Sequence, residues 1–179
     1  MGMYLVQQLR SGASEILVTS RQSRQAFGNV AFAQGDAKQL QFLRPLLEHG
    51  WDAIIDFMVY STQDFKNKAD LFLAATNQYC FLSSARVYAN CEEPLTEQSP
   101  RLLDVCRDQA YLATDEYALA KARQEDCLFA RDEKNWTIIR PYITYGPERL
   151  QLGVLEKEAW LYRALQGRAI IFSSDIACR

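Results

Sequence analysis

Short apolar, β-branched runs alternate along this chain with longer segments whose apolar residues recur at helical spacing. Residues 16–20, Ile-Leu-Val-Thr-Ser, predict a strand, followed by a polar loop through Arg21 and Asn29. Residues 30–35 predict a second strand. Residues 39–49 predict a helix stopped by Gly50, a residue type favoured just past a helix C-terminus. Residues 53–59 predict a strand of the buried kind. Ser61 is suited to cap the helix that follows, with Phe65, Leu71, Phe72 and Ala75 available for its apolar stripe. Residues 79–83 and 137–140 predict two more strands. Between them Thr114 is expected to cap a helix from Asp115 to about Arg131. Residues 89–110, with Pro94 and Pro100, form the one long irregular connection, a feature that is more often functional than incidental.

Strands separated by crossover helices imply an α/β fold with a doubly wound parallel sheet covered on both faces. Ligands in such sheets lie beyond the carboxyl ends of the strands. Here those ends are Thr19-Ser20-Arg21, Gly35-Asp36, Phe57-Met58-Val59, Ser83-Ser84 and Arg140-Pro141.

Composition narrows the function classes. The 179 residues suffice for one domain with a sizeable core, and the hydrophobic fraction of 49% with 23% charged residues is that of an ordinary globular protein. A net charge of −2 with scattered basic residues gives no electrostatic case for nucleic acid or an anionic membrane as partner. No apolar run approaches a membrane span, and the first residues lack the build of a signal peptide. The five cysteines (Cys80, Cys91, Cys106, Cys127 and Cys178) form no C-x-x-C pair, and His49 is the only histidine, which argues against a disulfide framework and a histidine-based metal site. The expectation is a cytoplasmic protein with reduced thiols.

The candidate chemistry lies in Ser83-Ser84 and in Tyr117-Ala-Leu-Ala-Lys121. A tyrosine and a lysine four apart lie on one helical face, so the ammonium can sit near the phenol. A neighbouring cation favours the phenolate and makes tyrosine a usable base near neutral pH. By itself such a pair is more often an exposed Tyr and Lys on a solvated helix. Order and context change the odds. Phe81-Leu-Ser-Ser-Ala-Arg-Val-Tyr88 is followed by Glu93-Pro-Leu-Thr-Glu97, then the Tyr117/Lys121 helix, then Ile138-Ile-Arg-Pro-Tyr-Ile-Thr-Tyr-Gly-Pro147. In this order the segments resemble the extended short-chain dehydrogenase/reductase family, the NAD(P)-dependent sugar-nucleotide epimerases, dehydratases and reductases, over nearly the whole chain.

The resemblance implies a Rossmann-like domain. It assigns Tyr117 as the base, Lys121 as its partner and a contact to the nicotinamide ribose, and Ser84 as the catalytic hydroxyl. Ser83 is either structural at the same turn or a plain strand-end serine. Gly2, Arg21, Asp36, Phe57, Lys121 and Pro141 are the implied cofactor contacts. The implied partners are a dinucleotide and a nucleotide-sugar substrate, within a homo-oligomer. Ala85 and Arg86 stand where the family's dehydratases carry two carboxyl residues, which disfavours dehydration and leaves epimerisation or reduction. Arg21, with Arg24 nearby, stands where NAD-specific members carry an acid, so NADP is preferred over NAD. An arginine stacked on the adenine or simply solvated is the alternative.

The family pattern also implies that both ends are truncated. Gly2-Met-Tyr-Leu-Val-Gln-Gln-Leu9 matches from the last glycine of a phosphate-binding loop onward, without the first strand and the earlier glycines. Gly167-Arg-Ala-Ile-Ile-Phe-Ser-Ser-Asp175 resembles the opening of the substrate lobe. Residues 1–150 are thus expected to form an incomplete NAD(P)-binding domain and residues 151–179 the start of a substrate-binding lobe. The expected consequence is a gap in the sheet between residues 16–20 and 53–59. Direct pairing of those strands, residues 169–172 folding back, or a strand from a partner chain would fill it. Poor dinucleotide binding and no turnover are expected of the chain as it stands. Two functions remain open: an NAD(P)-dependent oxidoreductase or epimerase (or a remnant of one), and an inactive relative serving as a binding or scaffolding module.

Overall fold

The computed structural model describes residues 1–146, 150–151 and 155–171, so Pro147, Cys178 and the 172–175 part of the 167–175 stretch lie outside it. The chain divides into two compact units, Met1–Pro141 and Tyr142–Arg179. In the first unit every strand pairing is parallel, giving an α/β fold of two sheets. One is a pair, β1 (Ile16–Ser20) with β2 (Val30–Gln34); the other has three strands in the order β3 (Trp51–Asp56), β4 (Thr76–Leu82) and β5 (Trp136–Ile139). The helices are α1 (Gly2–Leu9), α2 (Leu40–Leu47), α3 (Thr62–Ala74), α4 (Leu102–Val105), α5 (Gln109–Leu112) and α6 (Tyr117–Phe129).

The core forms where α2, α3 and α6 cover the three-stranded sheet. Tyr79 and Phe81 of β4 meet Phe65, Ala69 and Phe72 of α3, joined by Leu43 of α2 and Leu128 of α6. The rings interlock: Phe72 stacks on Tyr79 with centroids 5.3 Å apart, and Phe65 tilts against Phe81 at 4.9 Å. Such pairs add to the stabilisation from burial itself. Ser61 caps α3 by accepting from the Asp64 amide at 3.1 Å, as its position predicts. Gly50 follows α2 with a φ of +72°, a backbone conformation that favours glycine. Gly35 is required for a different reason: any Cβ there would come within 2.3 Å of the Phe42 ring, which packs directly over the end of β2.

Three boundaries differ from expectation, each for a local reason. The strand expected at 53–59 spans Trp51–Asp56, because Asp56 Oδ1 accepts from the Met58 amide at 2.9 Å and turns the chain away from the ladder. β4 begins at polar Thr76, where Asn77 and Gln78 reach across to Asp52 and Thr137 on the neighbouring strands. The helix carrying Tyr117 is capped by Glu116, which accepts from the Ala118 amide at 2.8 Å, and not by Thr114, whose hydroxyl donates to Tyr111 O. The 89–110 connection is irregular only in part, since it contains α4 and the start of α5.

β1 and β3 are not paired with each other, so direct pairing is not how the two sheets are completed. In the second unit the described residues include α7 (Lys157–Leu165), and residues 169–171 belong to no strand. Among the described residues no helix is long and apolar enough to cross a membrane.

Candidate functional site

The carboxyl ends of β2 and β3 open onto a hollow of about 320 Å³ lined by Lys38, Val59, Tyr60, Ser61, Asp115, Tyr117, Ala120 and Lys121. Each side contributes for a structural reason. Lys38 follows the turn in which Asp36 Oδ1 accepts from the Lys38 amide at 2.9 Å. Tyr60 and Ser61 lie between the Asp56 turn and the first turn of α3. Asp115 ties the starts of α3 and α6 together by accepting from the Thr62 amide and hydroxyl at 2.9 and 2.5 Å. Burial alone would raise the Asp115 pKa, but these bonds and Arg123 hold it below the usual aspartate value.

Tyr117 and Lys121, one turn apart on α6, both reach this hollow. Lys121 is 2% exposed, and its Nζ donates to Leu82 O at 2.7 Å and lies 4.5 Å from the centre of the Phe81 ring. Burial pushes its pKa down to about 8, opposed by the carboxylates of Asp56 and Glu125. Asp56 is itself buried at the end of β3 and accepts from Tyr79 Oη at 2.7 Å and Tyr60 Oη at 3.5 Å. Burial raises its pKa against those bonds and against the Met58 amide. A buried lysine and a buried aspartate therefore share the floor beneath the hollow.

Ser84 stands at the end of β4, nearly buried, and does not line the hollow. It starts the 3-10 turn Ala85–Val87, its Oγ accepting from the Arg86 amide at 3.2 Å. Arg86 links this turn to the helix: its guanidinium lies 5.5 Å from the centre of the Tyr117 ring and pairs with Glu116 at 2.9 Å. Ser83 is structural, its Oγ donating to buried Glu125 at 2.6 Å.

The other sequence-predicted residues fall around this centre unevenly. Gly2 lies against Phe57, since a Cβ on it would stand 3.7 Å from the ring. Pro141 O accepts from the Ala85 amide at 3.0 Å and so supports the Ser84 turn. Asp36 is spent on its own turn. Arg21 is exposed after β1 and does not line the hollow. Lys38, Tyr60 and Asp115 escaped the sequence reading because each is isolated in the chain. The only signal for Lys38 and Tyr60 is that they follow strand ends.

A larger and more open hollow of about 530 Å³ lies between α3 and α6, beside Lys66, Arg123, Cys127 and Arg131. Its arginines are already engaged, Arg123 with Asp115 and Arg131 with Asp70, and it lies off the strand ends. The smaller hollow is the better site. No protein-family model matches the chain, and no curated protein matches it either.

Proposed function

We propose that the chain is an NAD(P)-dependent oxidoreductase or epimerase of the extended short-chain dehydrogenase/reductase type, or a remnant of one, acting on a nucleotide-sugar substrate. The observation that carries the reading is the common hollow of Tyr117 and Lys121 at the carboxyl ends of parallel strands, with the Ser84 turn joined to Tyr117 through Arg86. The residues fit the ribose and nicotinamide end of a dinucleotide: two ammonium groups, two phenols, the Asp115 carboxylate and the Ser61 hydroxyl surround a space of about 320 Å³. The bound dinucleotide would supply the hydride acceptor or donor.

The protein's own groups would then divide the work. Tyr117 Oη removes the proton from a substrate hydroxyl, the Lys121 ammonium favours the phenolate and anchors ribose hydroxyls, and Ser84 Oγ, outside the hollow, would hold that hydroxyl where the substrate extends past Tyr117 to the Ser84 turn. Arg21 and Arg24 favour NADP through its 2′-phosphate. β1 and β3 are read as the flanks of one further strand in a Rossmann-like sheet, and their edges, unpaired among the described residues, support that.

The split sheet also favours the second reading, an inactive relative that serves as a binding or scaffolding module. Open strand edges are templates for strand addition by another chain, including a second copy. Titration of NADPH followed by its fluorescence separates the two. The oxidoreductase reading predicts weak, saturable binding, with Kd on the order of 0.1–1 mM, lost in Lys121→Met and retained in Tyr117→Phe. No saturable binding of NADPH or NADH would leave the scaffold reading.

A further inference from the structure

Glu125 is the most deeply buried acid in the site region, with no exposed side-chain surface, and no step of the proposed chemistry uses it. It sits on α6 one turn beyond Lys121 and two beyond Tyr117. Its carboxylate gathers four hydrogen bonds from three side chains. Ser83 Oγ donates at 2.6 Å, Arg140 donates in a fork through Nε and Nη2 at 2.8 Å each, and Arg101 Nη1 donates at 3.3 Å. Those donors come from the end of β4, the end of β5 and the middle of the long connection.

The bonds continue outward. Arg140 Nη1 donates to Tyr88 Oη at 2.7 Å and to Glu97 O at 3.1 Å, while Arg101 also binds Ala122 O, Asp104 and Asp126. Tyr88 and Arg101 bridge as the two ends of one loop, whose neck is closed by the Ala89 amide on Pro100 O at 2.8 Å. One carboxylate thus fixes both ends of that loop and the end of β4. α6 is tethered to two consecutive residues, the last of β4 and the one after it: Leu82 through Lys121 and Ser83 through Glu125.

Stability alone does not account for this arrangement, because an apolar cluster of the same volume commonly stabilises as well as a buried ion pair or better. A bidentate, fully bonded carboxylate gives one fixed geometry. We infer that Glu125 is a positioning residue: it locks the end of β4 onto α6, setting Ser84 against Tyr117, and in the same contact closes the neck of the Tyr88-to-Arg101 loop. The naming of Ser84 and Tyr117 as the positioned groups rests on the oxidoreductase reading. The lock itself does not.

The test is amide hydrogen exchange on the 179-residue chain and its variants, resolved residue by residue. In Glu125→Gln and in Ser83→Ala, exchange at Ala85 and Val87 should rise about 10-fold or more, with Tyr79 and Phe72 unchanged. Glu125→Gln and Arg140→Lys, which break the fork, should also release Ala89 at the loop neck, and Ser83→Ala should not. An equal rise at all amides, or none at Ala85 and Val87, would overturn the inference. If Glu125→Gln does not fold, Ser83→Ala and Arg140→Lys decide, since each removes one arm and leaves the carboxylate in place. Failure of NADPH to bind would end the oxidoreductase reading and leave this result standing. Where turnover is measured, Ser83→Ala should lower kcat and leave KM for NADPH unchanged, whereas a merely structural role would lower neither selectively.

Discussion

β1 and β4 are both parallel strands of this fold and end in different surroundings. β1 is Ile-Leu-Val-Thr-Ser and none of its residues is buried, whereas β4 places Tyr79 and Phe81 wholly out of solvent. The difference lies in neighbours. β4 has a strand on each side and α3 and α6 against it, while β1 has β2 alone, with no strand on its other edge among the described residues. An apolar strand is only as buried as the elements beside it, and the site follows that rule. Lys121, the Ser84 turn and the Glu125 lock hang from the well-packed three-stranded sheet. The arginines expected to choose the cofactor hang from the half-buried pair.

Truncation in the two sheets should expose this contrast most strongly. Phe81→Ala is expected to cost about 3–5 kcal/mol, because it leaves a cavity against Phe65 and beneath Lys121. Val18→Ala in β1 should cost about 1 kcal/mol or less, since that side chain is only partly buried. Urea unfolding measures both, and equal losses would mean that β1 is as firmly packed as β4.

A second consequence concerns pH. Lys121 titrates near 8 in the folded chain against its ordinary 10.5. Below about pH 8 both forms carry the proton, and the cost of burying the charge is fully present. Between 8 and 10.5 the unfolded chain binds a proton that the folded chain has released, so this group makes stability rise with pH. By pH 9.5 the gain reaches about 2 kcal/mol, and Lys121→Met should abolish it. Near pH 10 the trend reverses, because burial pushes the phenols of Tyr60 and Tyr79 upward and the unfolded chain ionises first. Unfolding midpoints across pH 7 to 9.5 are the measurement. A slope that survives in Lys121→Met would assign it to another group.

The same contrast should appear in exchange under native conditions. Amides of β1 and β2 should open about 10- to 100-fold more readily than those of β4. Identical protection would erase the contrast between the sheets.

The repeating units of this fold were legible along the chain, and its long-range chemistry was not. The strands at 16–20 and 30–35, the stop at Gly50 and the Ser61 cap each depend on residues close in sequence, and the structure has them nearly where they were expected. The end of β3 was misjudged because Phe57, Met58 and Val59 are apolar, while the chain there obeys one carboxylate, Asp56, bonding to the amide two residues on. The Glu116 cap was missed because Thr114 is the stronger capping residue by type. Glu125, Arg101 and Arg140 stand far apart in sequence and meet only when β4, β5 and α6 have assembled. Glu125, four residues beyond Lys121 on the same helix, was the one available hint.

The most direct test of the site is an NMR-detected titration of the chain with NADPH, a method suited to weak binding. The account predicts that shifts are largest at Lys38, Val59, Tyr60, Ser61, Tyr117 and Lys121, and that they vanish in Lys121→Met. Shifts centred on Lys66, Arg123 and Arg131 between α3 and α6, or no shifts at millimolar NADPH, would contradict it.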